Sequence, residues 1–161
     1  MVNPPYAKLL PGYDLYTAAL LQSPSYLSLE KALEHHGLIP EGVAVYTSVT
    51  TRRPVELKTP AGRYSYRHLA RNLFWGYERL AAGGGATFMA LPEKAVLDMF
   101  YLNGVNITAA YLEELRLQNL DNIDLPRLAA FADRFGKPGV KRAAQKLAEY
   151  VLTRGRERKS L

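Results

Sequence analysis

The sequence predicts an α+β fold: an antiparallel β-sheet with two N-terminal helices and a C-terminal helical cluster. Three observations carry this expectation. Val, Thr and Tyr alternate with polar residues through 43–68, and shorter runs of the same kind follow at 74–80 and 87–91. Apolar residues at helical spacing are confined to the two ends of the chain, 14–36 and 92–151. Strands and helices are therefore segregated along the sequence, which argues against a doubly wound parallel sheet. The length of 161 residues suits a single domain spanning 1–161. Within it, 1–13 is expected to be an extended segment and 154–161 a mobile basic tail.

Taken in order, Asp14 to Gln22 reads as a short amphipathic helix with Leu15, Ala18, Ala19 and Gln22 at helical spacing, ended by Ser23-Pro24. Ser28 is the expected N-cap of a second helix, which Gly37 and Pro40 close. Val43 to Thr50 is a strand. Pro54 to Lys58 and Arg63 to His68 form a hairpin around the turn Thr59-Pro60-Ala61-Gly62. A further hairpin runs from Phe74 to Leu91, with Gly83-Gly84-Gly85 at its tip. Pro92 and Glu93 suit the first turn of a helix whose apolar residues cover more than one face, as in a central buried helix. Thr108 caps a helix expected to reach about Asn119. Pro126 starts another, closed by Gly136, and Pro138 starts the last, with Val140, Ala144, Leu147 and Val151 as its apolar stripe.

The composition excludes several classes. The chain has no cysteine, so it has no disulfide, thiolate metal site or cysteine nucleophile, and this fits a reducing cytoplasm. No N-terminal run is apolar enough for a signal peptide, and no segment approaches the ~18 apolar residues of a membrane span. The expected location is the cytoplasm, with no membrane partner. The net charge of +6 is unevenly placed. Residues 1–126 hold 11 Lys/Arg against 12 Asp/Glu, whereas 127–161 hold 10 against 3. Such a block attracts nucleic acid or an acidic partner, and it also describes a solvated helix face.

No complete catalytic constellation is present. Glu56 and Lys58 would project together from a strand, as in metal-dependent nucleases, but a solvent-facing edge pair explains them as well. His35 and His36 are adjacent rather than four apart, so His36 reads as a packed histidine and not a zinc ligand. His68 has no Ser nucleophile or acidic orienter beside it. Gly83-Gly84-Gly85 lacks the ending of a phosphate loop. Asp98, four residues after Lys94, reads as a helix anchor. No catalytic residue, metal or cofactor is expected. The candidate binding residues for nucleic acid or a partner are basic. Arg52, Arg53, Arg63, Arg67 and Arg71 are interleaved with Tyr64, Tyr66 and Trp75, a pattern that can hold phosphates and stack bases. Lys137, Lys141, Arg142 and Lys146 lie on the polar side of the last helix.

One stretch carries more than composition. From Pro24 to Tyr77 the chain shows Ser25-Tyr26-Leu27-Ser28-Leu29-Glu30, then His36-Gly37-Leu38, Thr47-Ser48-Val49-Thr50 and Gly62-Arg63-Tyr64-x-Tyr66-Arg67-His68, followed by Phe74-Trp75-Gly76-Tyr77. Pro92-Glu93-Lys94-Ala95 with Asp98 completes the set. In order and spacing this resembles the AbiEi-type antitoxins, the regulatory half of type IV abortive-infection toxin–antitoxin pairs. The resemblance implies a non-enzymatic domain that counteracts a nucleotidyltransferase-type toxin, without requiring a stable complex. Antitoxins of this type commonly pair an N-terminal winged helix, which binds the operator, with a C-terminal antitoxin domain. Too few residues precede Pro24 to make a winged helix, so this chain resembles the C-terminal antitoxin domain alone. A nucleic-acid-binding accessory protein that uses the basic last helix is the alternative. A divergent nuclease-like domain using Glu56 and Lys58 is the third.

Overall fold

The computed structural model describes residues 10–104 and 106–159. Most of the expected N-terminal segment, and residues 160–161 of the expected tail, lie outside them. Six strands form one sheet: β1 (Ser25–Leu27), β2 (Val45–Thr50), β3 (Val55–Thr59), β4 (Gly62–His68), β5 (Tyr77–Ala82) and β6 (Gly85–Ala90). Their order is β3-β4-β2-β1-β6-β5. The α+β class holds, and the sheet is mixed. Both hairpins, β3–β4 and β5–β6, are antiparallel as expected, and so is β1–β2. The β2–β4 and β1–β6 pairings are parallel. β3 lies outside β4, so β4 returns beside β2 in the same direction.

β1 was not expected from the sequence. Its three residues are too few to show a period, yet it sits near the centre of the sheet with all three buried. Its strand character comes from partners far along the chain, Ser48–Thr50 on one side and Met89 on the other.

Helix α1 (Tyr13–Leu21) covers one face of the sheet. Three tyrosine hydroxyls tie it down. Tyr64 donates to the Asp14 carbonyl at 2.8 Å, Tyr66 to the Ala18 carbonyl at 2.6 Å and Tyr46 to the Asp14 carboxylate at 2.6 Å. The β5–β6 hairpin turns through Gly83 and Gly84, both with positive φ, as a type I′ hairpin turn requires. Gly83 has a second constraint. A β-carbon there would stand 2.5 Å from the Tyr13 Cα, because α1 begins against the hairpin tip. Gly83→Ala is therefore expected to cost more than Gly104→Ala. Both sites have φ of 60°, but a β-carbon at Gly104 meets nothing within 4 Å. The shared strain is about 1 kcal/mol, and the clash adds on the order of 1–3 kcal/mol. Equal losses of Tm in the two variants would show that α1 yields freely.

The other face of the sheet carries α2 (Leu29–His35) and α3 (Pro92–Asn103). Residues Glu93 to Phe100 of α3 are all buried, so it is the central helix that its apolar coverage predicts. Each large apolar side chain it buries contributes roughly 1.5–3 kcal/mol. Phe74, Trp75 and Phe100 belong to the same core. Beyond α3 pack α4 (Ala109–Glu114), α5 (Leu125–Phe135) and α6 (Pro138–Lys159). α4 stops at Glu114, short of the expected end. Arg116 and Asn119 adopt φ of 57° and 52°, and the segment turns back toward α2. There Gln118 N–H donates to the Leu38 carbonyl and the Asn119 side chain donates to Gly37 O. α6 runs on through 154–159 where a tail was expected, and Arg154 pairs with Glu113 and Glu157. No helix among the described residues is long and apolar enough to cross a membrane.

Candidate functional site

The most constrained polar group lies beneath the sheet. Lys94 and Asp98, one turn apart on α3, are fully buried and paired at 2.6 Å. All three Lys94 protons are placed: on Asp98 Oδ1, on the Tyr26 hydroxyl oxygen at 2.8 Å and on the Leu73 carbonyl at 2.7 Å. Asp98 Oδ2 accepts from the Tyr26 hydroxyl at 2.8 Å and from Ser28 at 2.9 Å. The Lys94 ammonium also stands 4.7 Å from the Trp75 ring centre. Gly76 lets the Lys94 stem pass, since a β-carbon there would lie 2.8 Å from Lys94 Cγ. Burial pushes the Asp98 carboxyl up and the Lys94 ammonium down, and each partner's charge pulls the other part of the way back. Burial, then the Asp98 charge, pushes the Tyr26 phenol well up. This group ties α3 to β1 and to the segment before β5. The anchor expected of Asp98 is thus seen, with Tyr26 and Ser28 as partners that spacing did not reveal.

Ser28 precedes α2, but its side chain makes no cap, being spent on Asp98. Thr47 of β2 takes that place. Its Oγ1 accepts from Lys31 N–H at 3.0 Å and donates to the Ser28 carbonyl at 2.6 Å. His36 Nε2 lies 2.6 Å from the Ala90 carbonyl oxygen, as a packed histidine should. Glu93, buried in the first turn of α3, accepts from Asp124 N–H at 3.0 Å and pairs with Arg127, which fixes the start of α5.

The candidate basic residues fall into separate places. Arg52 and Arg53 follow β2 and share a shallow hollow with His68, whose Nδ1 is 3.0 Å from the Arg52 carbonyl oxygen. Arg71 is exposed on the short turn Arg71–Leu73. Arg67 points to the opposite face from His68 and donates to the Leu102 carbonyl at 3.1 Å, at the end of α3. Arg63 lies four strand residues away from Arg67, roughly 13 Å by strand rise. The expected alternation on β4 is present, but its aromatics do not serve the arginines. Tyr64 and Tyr66 are buried under α1, and Trp75 is in the core. None of the three is available to stack on a base.

Arg63 instead lines a groove of about 570 Å³ with Lys58, Glu56 and Glu30. Glu56 and Lys58 do project together, exposed on an edge strand, where charges discourage strand pairing. Among the described residues, no group of three or more His, Asp or Glu could hold a metal ion.

Lys137, just before α6, and Arg142 and Lys146 on it line one concavity against the end of α3 and the segment before α4. Lys141 faces α5 and pairs with Asp133 at 3.1 Å. The sequence placed all four together on a polar side; packing against both α3 and α5 divides them. Asn106 and Tyr101, which line the same concavity, had no signal in the sequence beyond their polarity and ring.

The chain matches no family model, no curated protein and no solved structure.

Proposed function

We propose that this chain is a non-enzymatic, cytoplasmic antitoxin domain of the AbiEi type, counteracting a nucleotidyltransferase-type toxin. One observation supports it most. The short motifs that carry the resemblance are far apart in sequence, yet they bond to one another. Ser25–Glu30 meets Thr47–Thr50 through the Thr47 cap and strand pairing. It meets Pro92–Asp98 through Tyr26, Ser28, Lys94 and Asp98. Residues Phe74–Tyr77 enclose the same ammonium through Trp75 and Gly76. Three of the motifs meet in one buried network and a fourth pairs with them, which reads as the signature of a scaffold whose surfaces are left to regulate a partner. The test is co-expression with a neighbouring nucleotidyltransferase-like toxin. Relief of growth arrest is expected. Undiminished arrest, with both proteins soluble and abundant, overturns the proposal. Co-purification from the same cells then tells whether a stable complex forms.

A further inference from the structure

We propose that the concavity between the end of α3 and the first turns of α6 binds a nucleotide through its phosphate, with Lys137, Arg142 and Lys146 as the cations. Its volume is about 340 Å³, within the usual range of small-ligand sites. No Asp or Glu is among its described lining residues. Arg142 and Lys146 are one turn apart on the same helix face and repel each other, which an anion between them relieves. The side chains of Arg142, Lys146 and Lys137 make no ion pair or hydrogen bond among the described residues, whereas that of Lys141 is taken up by Asp133. The Arg142 guanidinium reaches back over the start of α6, with Nη2 3.8 Å from where a β-carbon on Gly139 would stand. Its planar fork suits two phosphate oxygens at once. The positive end of a 22-residue helix adds to the same field.

The remaining lining favours a nucleotide over a bare anion. Phe100, Ile107 and Val140 form an apolar floor, and Asn106 offers an amide. Tyr101 lies on the rim, its ring packed edge-to-face on Phe135 at 5.2 Å with 37% of its surface still exposed, and that exposed part is what a base would meet. A free nucleotide and the phosphate of a single-stranded nucleic acid share this chemistry.

The experiment is fluorescence anisotropy of the full chain with a short labelled single-stranded oligonucleotide, with ATP as competitor. Arg142→Ala and Lys146→Ala are each expected to weaken binding about tenfold and to lower the salt slope by about one. Lys141→Ala removes the same charge from the same helix and is expected to change binding less than about twofold. These residues are exposed, so unchanged thermal melts establish that the variants fold. Displacement by ATP assigns the site to free nucleotides; Arg142-dependent binding that ATP does not displace assigns it to nucleic acid. Equal weakening by all three substitutions would show a diffuse charge field and overturn the site, as would no binding of either ligand at low salt. The proposal does not depend on the antitoxin reading, and growth rescue and anisotropy fail separately.

Discussion

Lys94→Met is expected to remove about 3–5 kcal/mol of stability, the cost of leaving one partner of a buried ion pair alone. For a chain of this length that is a fall in Tm of roughly 6–20 °C, measured by circular dichroism. Methionine keeps most of the lysine stem's volume beside Trp75 and Gly76, so little of the loss comes from a cavity. What remains is a buried Asp98 carboxylate with only the Tyr26 and Ser28 hydroxyls to satisfy it. Removing both charges in Lys94→Met/Asp98→Leu is expected to cost less than the single change, because no uncompensated ion is left. A double variant as unstable as the sum of the two singles would show that the pair has no coupling.

The same variant carries a pH signature. Burial already raises the Asp98 carboxyl above its ordinary value, and Lys94 is the main force opposing that rise. Without Lys94 the folded carboxyl moves further up, while the unfolded one stays near 4. The folded variant then binds the proton more tightly than the unfolded chain does. Its stability is therefore fully present below the unfolded value and is lost as pH rises through the folded value. The deficit of Lys94→Met relative to the unaltered protein is expected to be smaller near pH 4 than at neutral pH. A deficit independent of pH would mean that the charge of Asp98 is not what the substitution exposes.

The extent to which this architecture can be read from the sequence follows the range of its interactions. α1, α2, the two hairpins and α3 are specified locally, by period, Pro and Gly, and their expected bounds lie close to those observed. β1 is specified by its neighbours in the sheet and has no period of its own. The end of α4 is set by contacts of 118–119 with 37–38, so the apolar spacing of 108–119 overstates the helix. Among candidate site residues, the i,i+4 spacing of Lys94 and Asp98 was visible, but Tyr26 and Ser28 join them across about 70 residues. The alternation Arg63–His68 correctly divided β4 into two faces. It could not say that the aromatic face is covered by α1, because α1's small residues Thr17 and Ala18 are a weak apolar signal. Likewise the charge on α6 was legible as a sum, but its division between the α3 side and the α5 side depends on how three helices meet.

Trp75→Ala is expected to cost about 3–5 kcal/mol and to loosen the helical cluster before the sheet. Trp75 is the only tryptophan and is 7% exposed. It stands where the segment entering β5 meets α5. Its ring makes edge contacts with Phe131 at 5.1 Å and Phe135 at 6.2 Å, and the Arg134 guanidinium lies 4.2 Å from its centre. The Lys94 ammonium lies 4.7 Å from the same ring centre, and the indole Nε1 donates to the Asn72 carbonyl at 3.1 Å. Alanine leaves a cavity between α5 and the sheet and removes a wall of the ion-pair chamber. Trp75→Phe retains a ring for Phe131 and Lys94 while losing the Asn72 hydrogen bond, so its cost is expected to be smaller, about 1–2 kcal/mol. The losses should not be uniform along the chain. Hydrogen exchange is expected to accelerate first in 125–159, which reaches the sheet largely through Trp75 and α3. Strands β2 and β4, held by their own ladder and by the tyrosines under α1, should remain protected. Uniform acceleration across the sheet and the helical cluster would show that Trp75 supports the domain as a whole. A Tm within about 2 °C of the unaltered protein would show that the ring does not couple α5 to the sheet at all.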